Sequence, residues 1–172
     1  MSGGSPQHSL VIANVSREIG NRLKNAPCRL YDSNLRIRIP RTTLYTYPDA
    51  SVICGPLQFD PLDAQRHTVL NPTLILELLS PSTEAWDCGG KFASYVQIES
   101  LREYLLISST AARAETFLRH TDGTWIYSAS TGPESRILLQ SLGLELPLAE
   151  LYAGVTLEPS VPPESSFPST SS

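Results

Sequence analysis

Residues 73–79 read Thr-Leu-Ile-Leu-Glu-Leu-Leu, a nearly continuous apolar run entered through Pro72 and left through Ser80-Pro81. A run this short, with turn formers at both ends, predicts a central β-strand covered on both faces, so the rest of the chain must supply layers on either side of a sheet. Glu77 interrupts the run. A carboxylate flanked by Ile75, Leu76, Leu78 and Leu79 on a buried strand costs several kcal/mol of desolvation unless a cation accompanies it. The plain explanation is a structural ion pair with one of the eleven arginines; the alternative is a functional site.

The chain has 172 residues, 41% hydrophobic and 17% charged, enough for one ordinary domain. Residues 155–172 (VTLEPSVPPESSFPSTSS) hold four prolines and six serines with almost nothing apolar after Leu157, and are expected to form a disordered tail. No internal repeat appears, so residues 1–154 are read as a single domain. The absence of a long apolar run and of a basic-then-apolar N-terminal layout leads to the expectation of a cytoplasmic protein with no membrane partner. Three widely spaced cysteines, Cys28, Cys54 and Cys88, fit neither a disulfide framework nor a zinc knuckle.

Ser5 and Pro6 suit the N-cap and first position of a helix, and Val11, Val15, Ile19 and Leu23 recur every fourth residue through about Lys24. Leu35, Ile37 and Ile39 alternate with polar residues and predict a strand closed by Pro40. Tyr45 to Cys54 is β-rich but broken at Pro48, and 57–67 is a polar connection. Further along, 87–98 reads as helix and 102–108 as strand. Residues 113–120 and 124–130 form a hairpin about Asp122-Gly123, followed by a strand near 137–140 and a short helix near 148–152. The sum is an α+β layout, a mixed β-sheet flanked by helices.

Two further residues join Glu77. Asp49 follows Tyr47-Pro48, where proline breaks or bulges the strand and so aims the next side chains out of the ladder; a Pro-Asp pair by itself is more often a turn. Lys91 is one of only two lysines in the chain and lies one helical turn after Asp87 and one before Tyr95, so the three share a helix face. Its bland reading is an i,i+4 salt bridge to Asp87. Two carboxylates are hard oxygen ligands for Mg²⁺ or Mn²⁺, and a lysine beside them can steady a hydroxide or a phosphate. Together they suit metal-assisted phosphodiester hydrolysis.

The stretches YPDASVICG (47–55), ILELLSPSTEAWDCGGKFASYVQIESLREYLLI (75–107) and LGLELPLAELYAGV (142–155) resemble the Uma2 family of restriction endonucleases, within the PD-(D/E)xK nuclease superfamily. The resemblance implies a restriction-endonuclease-like core with Asp49 and Glu77 as metal ligands. In the superfamily's usual pattern the lysine stands two residues after the second acid, where this chain has Leu79, and Lys91 on the following helix is its implied replacement. Ser80, Ser82 and Thr83 are expected to shape the turn between strand and helix. Asp87, Tyr95 and His8 match the family pattern and are read as supporting residues. Family members usually carry an acidic, glycine-containing strand pair ahead of the MSGGSPQH segment, and this sequence is read as starting inside that pattern.

The net charge of -4 excludes a generally basic nucleic-acid coat. Residues 1–98 hold nine bases and eight acids (+1), while 99–172 hold four bases and nine acids (-5), so acidity concentrates away from the candidate residues. Arg29, Arg36, Arg38 and Arg41 form a local basic stretch, read either as phosphate-facing or as a solvated strand face. Two function classes follow. One is a Mg²⁺-dependent endonuclease acting on DNA, with a homodimer expected if both strands are cut. The other is a noncatalytic, nuclease-derived binding or assembly module. No phosphate-binding loop or GxSxG elbow competes, since Ala85 and Phe92 replace the residues that a loop around Gly89-Gly90-Lys91 would need.

Overall fold

The computed structural model describes residues 4–81 and 86–157, with the side chains of 86–88 outside the description. Helix α1 (Pro6–Arg22) is followed by β1 (Cys28–Asp32), β2 (Arg36–Arg38), β3 (Tyr45–Thr46), β4 (Ala50–Cys54), β5 (Thr68–Val69) and β6 (Leu74–Leu79). A π-helical turn (Trp86–Lys91) runs into α2 (Phe92–Tyr95). Then come β7 (Glu103–Ser108), β8 (Arg113–Arg119), β9 (Trp125–Thr131), β10 (Arg136–Leu139), β11 (Leu144–Pro147) and α3 (Leu148–Leu151).

Among the described residues the main sheet has six strands in the order β1-β4-β6-β7-β8-β9. Only β6 and β7 run parallel, because the π-helical turn and α2 carry the chain back over the sheet between them; the other neighbours are antiparallel. Every residue of β6 is buried, as an apolar strand between two sheet neighbours and two covering layers must be. A small sheet, β3-β2-β5, stands beside the main one.

The pleat sorts β6 into two cores. Leu74, Leu76 and Leu78 face Val11, Val15 and Ile19 of α1 and the β10–β11 and α3 region, through Leu139, Leu146 and Leu148. Ile75 and Leu79 face the opposite way, toward Ile37 of the small sheet's β2 and Ile39 just after it, and toward Tyr95, Ile98 and Leu101. Glu77 shares that second face by parity. The N-terminus of α1 forms as read: Ser5 is the N-cap, its hydroxyl accepting from the His8 N–H at 3.2 Å.

The reading of the cysteines is corrected for two of them. Cys28 and Cys54 form a disulfide, because β1 and β4 pair antiparallel in the register that sets these two residues opposite each other. A separation of 26 residues carries no spacing signal; only the strand register creates the pair. Strands β1 and β11 were also not anticipated. The expected helix over 87–98 is instead a π-helical turn and one α-turn. The assignments to Ser82 and Thr83 and most of the 155–172 tail lie outside the described residues. Among the described residues no helix is long and apolar enough to cross a membrane.

Candidate active site

The chain leaves the small sheet at Thr46, passes Tyr47-Pro48 and joins the main sheet at Ala50, so the break expected at Pro48 is the point where it switches sheets. Asp49 sits at that switch. In the β4–β6 ladder Ala50 faces Leu76 and Ser51 faces Ile75. Carried one step further, that register sets Asp49 opposite Glu77. Like charges directly across a sheet repel, so the pairing is one that stability alone disfavours. Asp49 is held there by a backbone bond: the Leu78 N–H donates to its Oδ2 at 2.7 Å.

Glu77 is 3% exposed. Both of its oxygens are engaged from the π-helical turn and α2. Lys91 Nζ lies 3.2 Å from Oε2, and the Tyr95 hydroxyl donates to Oε1 at 2.7 Å. Lys91 and Tyr95 stand one helical turn apart, as their sequence spacing requires, and reach the two oxygens of one carboxylate. The cation beside Glu77 is thus Lys91 and not one of the arginines. The Tyr95 hydroxyl has one proton, and with it given to Glu77 the Thr46 hydroxyl, 2.9 Å away, donates to the Tyr95 oxygen. Thr46 was not singled out in the sequence. Its only signal there is its place between two tyrosines just ahead of Pro48-Asp49.

The carboxyl of Glu77 is pushed up to about 7 from its ordinary 4.5. Burial is the main cause, Lys91 and Tyr95 pull it back down, and the negative charge of Asp49 pushes it further up. On the other side, His8 Nε2 lies 3.7 Å from Asp49 Oδ1. A Cβ on Gly4 would come within 2.8 Å of the His8 ring, so a larger residue there would require the imidazole to shift. The structure therefore gathers Asp49, Glu77, Lys91, Tyr95 and His8. Asp87 lies on the π-helical turn, with its side chain outside the description.

The arginine stretch is largely spent on acids. Arg36 donates to Thr68 Oγ1 at 2.6 Å and pairs with Asp63 at 3.2 Å, and Arg38 pairs with Asp60 at 2.8 Å. Arg29 donates to the carbonyls of Ala26 and Cys28, and Arg41 lies 3.5 Å from Glu99.

No three His, Cys, Asp or Glu side chains among the described residues converge as a metal cage. The site has two carboxylates. That set fits Mg²⁺, which keeps several waters and binds through one or two protein carboxylates, and a cation would offset both the burial of the Glu77 charge and the lesser push from Asp49.

The six-stranded mixed sheet thus carries two facing acids, and the π-helical turn brings a lysine to one of them. A solved structure described as "a putative nuclease belonging to DUF820" from Anabaena variabilis ATCC 29413 shares the fold, with a TM-score of 0.69 at 16% identity, covering 88% of this chain and 82% of that one. Residues 1–149 match the model of Uma2, described as "Putative restriction endonuclease", and the chain belongs to that family. Two uncharacterized proteins of Synechocystis sp. (strain ATCC 27184 / PCC 6803 / Kazusa) are similar to it. One is 38% identical over 159 residues, covering 90% of this chain and 79% of the relative. The other is 31% identical over 137 residues, covering 80% and 76%.

Proposed function

We propose that the chain is a metal-dependent endonuclease that hydrolyses DNA phosphodiester bonds, with Mg²⁺ or Mn²⁺ held by Asp49 and Glu77. The observation that carries the reading is Glu77: a buried acid facing a second acid, with Lys91 on one oxygen and Tyr95 on the other. Such a concentration of opposed charge is costly for folding and useful for chemistry. The family and the shared fold support the same reading.

In this account Asp49 and Glu77 supply oxygens on one side of the scissile phosphate. A bound divalent ion would lower the pKa of a coordinated water and neutralise phosphate charge. Lys91 positions that water or steadies charge building on the phosphate oxygens. Tyr95 keeps Glu77 oriented, and His8 stands beside Asp49. The test is nicking of supercoiled plasmid by the purified chain with Mg²⁺ or Mn²⁺. The reading expects nicking that disappears in Asp49→Asn, Glu77→Gln and Lys91→Ala alike, and it fails if wild type does not nick or if the variants nick as well as wild type.

A second reading, a noncatalytic binding or assembly module on the same fold, draws on the sparse donor set, two carboxylates with no third His, Cys, Asp or Glu ligand among the described residues. It predicts no divalent-ion binding and no effect of Glu77→Gln on any DNA interaction.

A further inference from the structure

The strand leading into Asp49 places side chains alternately inward and outward. Thr46 points in, bonding Tyr95, which in turn bonds Glu77. Its neighbours Tyr45 and Tyr47 point out and are 45% and 56% exposed. Two large rings thus lie on the surface of the segment that leads into the carboxylate pair, Tyr47 two residues before Asp49 in the chain. Neither ring is needed by a core, and both are backed by fixed groups. The Arg36 guanidinium stands 5.0 Å over the Tyr45 ring, with the Tyr47 hydroxyl also in its neighbourhood. The Tyr45 hydroxyl donates to Asp60 at 3.3 Å, and Arg38 holds Asp60 in turn. Tyr45 is therefore pre-positioned, with Arg36 over its ring.

Resting on the endonuclease reading, we propose that Tyr45 and Tyr47 form a base-stacking subsite for an unpaired stretch of DNA beside the scissile phosphate, so that single-stranded or frayed DNA is the preferred substrate. Aromatic faces gain most from base faces that are not already stacked inside a duplex. The electrostatics do not choose between the two forms of DNA: Arg36, Arg38 and Arg41 face Asp63, Asp60 and Glu99 and the chain carries a net charge of -4, which weakens the pull on the phosphates of either. Ring stacking, open only to unpaired bases, then decides the preference.

The experiment measures binding in EDTA, so that no cleavage enters. Fluorescence anisotropy compares a labelled single strand with the duplex of the same sequence, on the full chain and on Tyr45→Ala, Tyr47→Ala and the two Phe variants. The expected result is tighter binding of the single strand, loss of about tenfold per alanine, and near wild-type affinity in the Phe variants. Wild-type single-strand affinity in the doubly alanine-substituted chain, equal weakening of both DNAs, or a preference for duplex would overturn the subsite. A chain that binds in this ring-dependent way yet, with Mg²⁺ or Mn²⁺ restored, cleaves neither plasmid nor the labelled single strand overturns the nuclease reading and leaves the stacking subsite standing. A chain that nicks but shows no ring dependence does the reverse.

Discussion

Two buried glutamates on adjacent strands of the same sheet, Glu77 and Glu103, are 3% and 1% exposed, yet their surroundings differ in kind. Glu103 opens β7 and pairs in register with Leu74, three residues before Glu77 and so about 10 Å back along β6. Its side chain faces the α1 side of the sheet by parity with Leu105. Three neutral donors saturate it: the Gln140 and Ser141 N–H groups at 3.2 and 3.0 Å, and the Ser141 hydroxyl at 2.6 Å. Burial raises both acids. Only Glu77 has another carboxylate pushing it up and a lysine pulling it down. A buried acid ringed by neutral donors fastens a turn; a buried acid between unlike charges is poised to meet a ligand.

The comparison breaks most visibly in activity. Glu77→Gln is expected to lower plasmid nicking by at least about a hundredfold, the scale on which single charge-stabilising groups act, while Glu103→Gln leaves the rate per folded molecule within about twofold. Equal losses in the two variants would erase the distinction. Stability is expected to run the other way. Glu103→Ala strips the partners from buried donors at Gln140 and Ser141 and is expected to cost about 2–4 kcal/mol in denaturant melts. Glu77→Gln at pH 8 should cost nothing and can stabilise the metal-free chain.

The pH dependence sharpens the same contrast. Glu77 titrates at about 7 when folded and 4.5 ordinarily, so the fold favours its neutral form. That favourable contribution, about 3 kcal/mol, is fully present below pH 4.5 and is lost as pH rises through 7. Melts from pH 5 to 8 should therefore show wild type losing stability relative to Glu77→Gln, and adding Mg²⁺ at pH 8 should close the gap. A smaller effect is expected of Tyr95→Phe, which removes one donor from Glu77: about tenfold weaker divalent-ion binding with the fold intact. Unchanged ion affinity in that variant would reduce Tyr95 to packing.

Much of the site was legible because its residues violate local rules. Glu77 breaks an apolar strand, Asp49 follows a proline in a β-rich segment, and Lys91 is one of two lysines in a chain that otherwise uses arginine. The central strand and the 113–130 hairpin were readable because continuous apolar runs and an Asp-Gly turn are local signals. What escaped depends on register and long-range pairing. The Cys28–Cys54 bridge exists only because β1 and β4 align. Strand β1 has mixed burial and no clean alternation to betray it. The acids that occupy Arg36 and Arg38 come from a polar loop more than twenty residues away, where composition suggested only a connection. Thr46 becomes meaningful only once Tyr95 is brought to it from across the fold.

The most direct measurement is calorimetric titration of the metal-free chain with Mn²⁺ at pH 8, repeated on Glu77→Gln and Glu103→Gln. The account predicts saturable binding by wild type and by Glu103→Gln, and its loss in Glu77→Gln. Binding that survives Glu77→Gln, or that is absent from wild type, would contradict the assignment of Glu77 and Asp49 as the metal-holding pair.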